Sequence, residues 1–265
     1  MFDPRDTVVG WSLAIDGVWE KLETKVLTGL VSEGDTIVDV GANLGWFSVQ
    51  LARAVGKTGR VIAFEPDPGN YDLLSENLRI NGVVETVTAY RLAALNKPGE
   101  VQFELSPINY GDHRVRFETA SATAVLPELE NESRRSVIVV EAVALDDALP
   151  DLAKAGSGGP VRLMKLDCQG SEPAILKGAR NILSNTEYLA TEYWPYGLTR
   201  AGFDPETFID ELAQMFDSFV ELEFDGGGEF QPIAGLRAHA ASRRGPDGVL
   251  FYVLRKKLSD DSADA

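Results

Sequence analysis

Two rhythms of apolar positions run along the chain. Ile37, Val38 and Val40 make a short apolar run, the pattern of a strand buried on both faces. It ends at Gly41; Gly45 follows, and Trp46 to Arg53 reads as a helix. Upstream, Val18, Leu22, Val26, Leu27 and Leu30 share one face of a helix expected over Val18–Val31. Residues 1–17 read as irregular, with Trp11 and Leu13 against the core, so 1–35 forms an N-terminal helical lead-in. Downstream, Arg60–Phe64 is a second strand ending in Glu65-Pro66-Asp67-Pro68. Asn70–Asn81 is a helix with Tyr71, Leu74 and Leu78 inward and Asn81-Gly82 as its stop. Val87–Leu92 is a third strand, followed by Ala93-Ala94. Three strands separated by two helices imply a parallel sheet with right-handed crossovers.

Glu100–Leu105 and Val137–Val143 alternate as strands and suggest an extra hairpin with a long loop within 100–143. The polar segment 106–136 between them holds Asn109-Tyr110-Gly111-Asp112-His113-Arg114, and a loop of that length in a compact domain is usually functional. Leu145–Leu149 reads as a short helix. The connector 153–160 marks no domain boundary, because Val161–Leu166 resumes the strand pattern at once. A helix follows over Pro173–Ile182, then a strand over Glu187–Glu192 ending in Tyr193-Trp194-Pro195. Pro205–Met215 is amphipathic. Phe219–Phe224 and Val249–Leu254 form a final strand pair around a glycine-rich insert. The chain is thus an α/β protein with one catalytic-sized domain over 36–258 and a disordered acidic tail over 259–265.

Composition narrows the classes. The 265 residues are 44% hydrophobic and 25% charged, ordinary for a soluble globular protein. The net charge of −16 repels phosphate backbones and anionic bilayers, so nucleic acid and membrane are not expected partners. No apolar run reaches the roughly 18 residues that span a bilayer, and the N-terminus lacks a signal-peptide pattern. Cys168 is the only cysteine, which rules out an internal disulfide. A cytoplasmic enzyme is the expectation.

The strand–glycine–helix turn at 41–45 brings bare backbone close to a ligand. A dinucleotide site of the Gly-x-Gly-x-x-Gly type, and with it an NAD-dependent oxidoreductase, is one reading. Against it, position 43 is Asn and position 46 is Trp, so the third glycine is missing. An S-adenosylmethionine site is the other reading. That cofactor carries no pyrophosphate and needs room at the turn more than amide donors, while Asp39 suits its ammonium group. A tight turn with no ligand is the structural alternative. Glu65, at the end of the second strand, can accept both ribose hydroxyls, which favours a nucleoside.

Four motifs in order resemble the FkbM family of methyltransferases: Val38 to Ser48, Phe64 to Pro68, Leu145-Asp146-Asp147, and Met164 to Glu172. The resemblance covers roughly residues 20–200. It implies a class I methyltransferase (Rossmann-like) fold, with a seven-stranded, mostly parallel sheet, helices on both faces and the last strand antiparallel. It implies S-adenosylmethionine as cofactor and O-methylation of a hydroxyl on a sugar, polyketide or other small molecule. Cofactor-binding positions expected on this chain are Asp39, Gly41, Ala42, Asn43, Gly45, Glu65, Pro66, Asp67 and Ala93. The family commonly has an acidic residue where this chain has Gln169, so no charge-based role carries over there. A module that kept the fold and lost the chemistry is the remaining alternative.

Candidate catalytic residues are His113, Asp167 and Glu172. His113 titrates in the range a base needs, and Asp112 beside it could orient its ring; its plain alternative is a surface-loop histidine. Asp167 ends the strand expected beside the transferred methyl, where it could orient a hydroxyl or serve as a helix cap. Glu172 could act directly, or pair with Lys165 or a helix N-terminus. Glu192-Tyr193-Trp194 is expected to line the acceptor pocket. Cys168 reads as a small core-edge residue with no basic pair to activate it. No metal is assigned, since Asp112, His113 and Asp167 would converge only through folding.

Overall fold

The computed structural model describes residues 1–118, 134–154, 159–222, 228–243 and 248–256. The expected acidic tail and parts of the long polar segment and the glycine-rich insert lie outside the described residues. Twelve strands follow in chain order: β1 (Thr36–Val40), β2 (Arg60–Phe64), β3 (Val87–Tyr90), β4 (Ala93–Leu95), β5 (Gly99–Leu105), β6 (Arg114–Arg116), β7 (Ser136–Ala144), β8 (Val161–Leu166), β9 (Thr186–Tyr193), β10 (Ser218–Glu221), β11 (Gln231–Pro232) and β12 (Leu250–Arg255). Eight of them make one sheet in the order β11-β10-β12-β9-β8-β1-β2-β3. Its neighbours from β3 to β9 are parallel, and β12 is antiparallel to both β9 and β10.

The short strand at the centre is apolar on both sides because both sides are covered. All five residues of β1 are buried. Val38 and Val40 join a core with Ile62, Phe64, Met164 and Leu166 on one face, under the helices Glu172–Gly178 and Pro205–Met215. Ile37 joins Val61, Leu163 and Ala190 on the other face, under the helices Lys21–Gly29, Trp46–Val55 and Pro68–Ile80. Side chains alternate between faces along a strand, so Asp39 and Lys165 share the second face with Ile37 and Leu163. Register places Asp39 beside Lys165, and Lys165 beside Ala190.

Four differences from the sequence expectation stand out. The main sheet has an eighth, two-residue edge strand, β11, held by pairings to Ser218 and Phe219; two residues are too few to show an alternation. The hairpin expected within 100–143 is part of a second sheet, ordered β4-β7-β5-β6. There β5 and β7 pair antiparallel from Gly99↔Ala142 to Leu105↔Ser136, while β4 pairs parallel to β7. The N-terminus is helical at Val9–Asp16, and Trp11 is 51% exposed instead of packed on the core. Asp6 nucleates that helix, its carboxylate accepting from the amides of Val8, Val9 and Gly10 at 3.1, 3.2 and 3.0 Å. The helix expected over Pro173–Ile182 is also two helices, broken at Ala179.

Candidate functional site

The turn after β1 uses its own backbone donors. The amides of Gly41 and Ala42 both donate to the Phe64 carbonyl at 3.0 Å. Asn43 N–H donates to Glu65 Oε2 at 2.8 Å, Leu44 N–H to Asn43 Oδ1 at 2.5 Å, and Gly45 N–H to the Ala42 carbonyl at 2.9 Å. These five amides are therefore not available to a pyrophosphate, which a dinucleotide turn would need to hold. What Gly41 provides is a close approach of β1 to the loop after β8. Gly41 has φ +79°, and a Cβ built there would lie 2.0 Å from the Asp167 carbonyl oxygen.

A cavity of about 380 Å³ opens at this end of the main sheet. Its floor is Gly41, Ala42 and Asn43; Glu65, Pro66 and Ala93 stand along the β2–β3 side, and Asp167 and Glu192 along the β8–β9 side. The second sheet contributes Phe103, His113 and Val115, and the N-terminal segment contributes Val9, Trp19 and Glu20. The volume falls within the range of small-molecule and cofactor sites.

Residues 39–219 match the family model described as the Methyltransferase FkbM domain. The chain belongs to this family. Among curated FkbM-like relatives, it is 28% identical over 192 residues to the hexuronic acid methyltransferase AglP of Haloferax volcanii, covering 72% of this chain and 66% of that protein. It is 25% identical over 211 residues to the 2-O-methyltransferase NoeI of Sinorhizobium fredii, covering 76% of this chain and 82% of that one. The chain spans just under two thirds of the length of AglP. The fold is also that of the O-methyltransferase TomG from Streptomyces achromogenes, solved in complex with SAM: TM-score 0.51 at 14% identity, covering 97% of this chain and 92% of TomG. The architecture is the class I methyltransferase fold.

Within this FkbM domain the expected cofactor positions separate into two groups. Gly41, Ala42, Asn43, Glu65, Pro66 and Ala93 line the cavity. Asp39, Gly45 and Asp67 support it from behind. Asp39 is fully buried, and its Oδ2 accepts from Ser48 Oγ at 2.6 Å, so it braces β1 against the helix Trp46–Val55. Gly45 has φ +89° and lies against Leu74. Asp67 caps the helix Pro68–Ile80, accepting from Asn70 N–H at 2.8 Å.

Glu65 is 4% exposed, with Oε2 on the Asn43 amide and Oε1 on the Asp67 amide at 2.9 Å. Burial pushes its pKa up to about 8 despite those two donors. The folded protein therefore holds a proton there that the unfolded chain has lost. The resulting penalty is absent below the ordinary value of 4.5, grows with pH, and levels off above about 8. Each unit fully expressed amounts to about 1.4 kcal/mol. Glu65→Gln is expected to flatten the fall in melting temperature of ligand-free protein between pH 5 and pH 8; an unchanged slope in the variant would show that other groups set it.

The catalytic candidates are placed less as expected. His113 lines the cavity, but Asp112 does not orient it: that carboxylate binds Arg135 and lies 3.7 Å from Arg114. Instead His113 Nδ1 accepts the Ser106 N–H at 3.0 Å. A neutral ring that accepts at Nδ1 carries its proton on Nε2, so His113 presents a donor. Burial and the Arg135 charge hold it down at about 4. The role of base expected from its sequence neighbourhood does not fit this arrangement. Glu172 does not fit a direct role either. Its two oxygens accept the amides of Cys168 and Gly170 at 2.8 and 2.9 Å, fixing the loop after β8. Asp167 does face the cavity, with Oδ2 on Lys165 Nζ at 3.1 Å and Oδ1 on Gln169 Nε2 at 2.9 Å. Lys165 thus pairs with Asp167 and not with Glu172. The Cys168 thiol is pushed up by burial and the nearby Glu172 charge, in keeping with an unreactive residue.

Two cavity residues, Glu20 and Lys165, carry more weight than their sequence context shows. Lys165 is 1% exposed and lies 4.7 Å from the Phe47 ring centre. Burial alone would lower it, but Asp167, Asp39 and Glu20 hold it above its usual range. Glu20 stands before the helix Lys21–Gly29 with φ 43°. Burial and the Asp167 charge push it up to about 8. Among the described residues, no group of three or more His, Cys, Asp or Glu side chains is arranged to hold a metal ion. No described helix is long and apolar enough to cross a membrane.

Proposed function

We propose that this protein is an S-adenosylmethionine-dependent O-methyltransferase acting on a hydroxyl of a sugar or other small molecule. The observation that carries the reading is the turn itself: five amides bonded internally, a floor with no side chain at Gly41, and a strand-end carboxylate beside it. That set fits a nucleoside without a pyrophosphate. Each Glu65 oxygen accepts one backbone N–H and keeps a lone pair for a ribose hydroxyl. The acidic lining, with Glu20, Asp167 and Glu192 around one lysine, suits a cationic ligand. S-adenosylmethionine, when bound, supplies a methyl group on a positively charged sulfur.

The chain's residues then hold and orient. Gly41 lets β1 close against the Asp167 carbonyl, which seats Asp167 at the cavity edge. Lys165 and Gln169 hold the Asp167 carboxylate at the cavity wall. His113, with its proton on Nε2, offers a hydrogen bond from the wall formed by the second sheet. Positioning of this kind is the main contribution to a displacement in which the leaving sulfur becomes neutral. The relatives, a hexuronic acid methyltransferase and a 2-O-methyltransferase, support a sugar hydroxyl as acceptor.

Titration calorimetry tests the reading. The protein is expected to bind S-adenosylhomocysteine and not NAD. Glu65→Ala is expected to weaken S-adenosylhomocysteine by about 10- to 100-fold, the value of two hydrogen bonds lost in a buried site. Wild-type affinity in the variant, or preference for NAD, would overturn the assignment.

A further inference from the structure

Among the described residues, Glu192 and Glu20 are cavity carboxylates with an oxygen that makes no hydrogen bond, Oε2 in each case. The other ionisable groups of the pocket are occupied. Both oxygens of Asp167 and of Glu65 are bonded, His113 presents a donor, and Lys165 is held by Asp167. Asp112, on the wall of the second sheet, also has an oxygen without a hydrogen bond, Oδ1, but two arginines hold the group: Arg135 on Oδ2 and Arg114 3.7 Å from Oδ1.

Of the two, Glu192 stands where a reacting hydroxyl needs a partner. Register pairs Leu166 with Thr191, which sets Asp167, just past the end of β8, beside Glu192 in the last pleat of β9. Both follow the alternation of Lys165 and Ala190, so both face the same side of the sheet. Glu20 approaches from the N-terminal segment, in a left-handed backbone conformation that is costly for a residue other than glycine. Glu192 is carried by a rigid central strand.

The charges in this corner do not balance. Asp39 of β1, Asp167 beyond β8, Glu192 of β9 and Glu20 of the N-terminal segment surround Lys165, Glu172 of the following helix lies near Asp167, and Arg135 and His113 stand on the opposite wall. One lysine does not neutralise four or five carboxylates in a buried setting. Burial first, then the charges of Asp167, Glu172 and Glu20, hold Glu192 well above the ordinary carboxylate range.

We propose that Glu192 is a proton acceptor armed by the cofactor's charge: protonated in the ligand-free protein, ionised when a cationic sulfur enters the pocket, and so ready to take the proton of the acceptor hydroxyl. This rests on the methyltransferase reading. In the transfer, the acceptor oxygen forms its bond to the methyl carbon, the carbon–sulfur electron pair stays with sulfur, and the hydroxyl proton passes to Glu192. One positive and one negative charge vanish together, so the net charge of the pocket is the same before and after. Glu20, bonded to Trp19 and near Lys165, adds a further acidic group to the same corner.

Calorimetry in two buffers of different ionisation enthalpy counts the protons released at pH 7. S-adenosylmethionine, with its charged sulfur, is expected to release up to one proton more than S-adenosylhomocysteine, whose sulfur is neutral. Glu192→Gln is expected to remove that difference while binding S-adenosylhomocysteine within about threefold of wild type; Glu20→Gln is expected to keep it. A measurement on wild type alone reads the same event: the affinity ratio of the two ligands is expected to shift toward S-adenosylmethionine by up to about tenfold per pH unit as pH rises through neutrality. An equal proton count for both ligands, a flat ratio, or a difference that survives in Glu192→Gln overturns the proposal. If neither ligand binds, the methyltransferase reading itself fails, which is a distinct result.

Discussion

Gly41→Val is expected to abolish S-adenosylhomocysteine binding and to lower the melting temperature. Two costs coincide at this position. The backbone sits at φ +79°, where a β-branched side chain is disfavoured by roughly 1–2 kcal/mol. The larger cost is steric. A Cβ would meet the Asp167 carbonyl oxygen at 2.0 Å, with the Cys168 sulfur at 3.3 Å. That carbonyl belongs to backbone, and the Asp167 amide is itself tied to the Val40 carbonyl at 3.2 Å. Relief therefore requires β1 and the loop after β8 to move apart, which displaces the floor of the cavity and Asp167 together. Gly82→Ala is the matched control: its φ is +67°, but nothing lies within 4 Å of the added Cβ. It should cost about 1 kcal/mol in stability and leave ligand binding intact. If Gly41→Val bound S-adenosylhomocysteine as wild type does, the cavity floor would be misassigned.

The same contrast explains what could be read before the fold was known. The expected strand Val161–Leu166 and the helix Pro205–Met215 have the bounds observed, because a doubly buried run and an amphipathic stripe are local patterns. The turn at Gly41 and the carboxylate at Glu65 were legible for a related reason. A strand that must bend sharply against a neighbouring carbonyl demands glycine, and the strand-end position of Glu65 follows from counting along β2. The strands β4, β6 and β11 have three, three and two residues. Pairing partners distant in sequence define them, and no period can be seen in so few positions. Glu20 was missed because only tertiary packing brings it to the cavity that Asp167 and Glu192 also line. His113 was found as a pocket residue, but its protonation pattern depends on the Ser106 amide, a partner that composition and spacing do not reveal.

Lys165→Met should destabilise the protein by about 3–5 kcal/mol at pH 8, the cost of removing one partner of a buried ion pair, and by much less near pH 5. Lys165 is 1% exposed, bonded to Asp167 at 3.1 Å, and close enough to Asp39 and Glu20 to be held charged by them. Methionine fills a similar volume, so the packing against Phe47 survives while the charge is lost. Asp39 and Glu20, whose pKa values burial already raises, then lose the cation that opposes the shift, and their folded values rise further above those of the unfolded chain. For acids shifted in that direction, the penalty is absent below the unfolded values near 4 and grows as pH rises toward the folded ones. Urea unfolding at both pH values separates this from a packing defect, which would cost the same at each. Adding Asp167→Asn to Lys165→Met should recover part of the loss at pH 8, because the second change removes a charge that the first left unpaired. A loss independent of pH, with no recovery in the double variant, would mean that Lys165 stabilises the fold through its contact with the Phe47 ring, and that the carboxylates around it are neutral already.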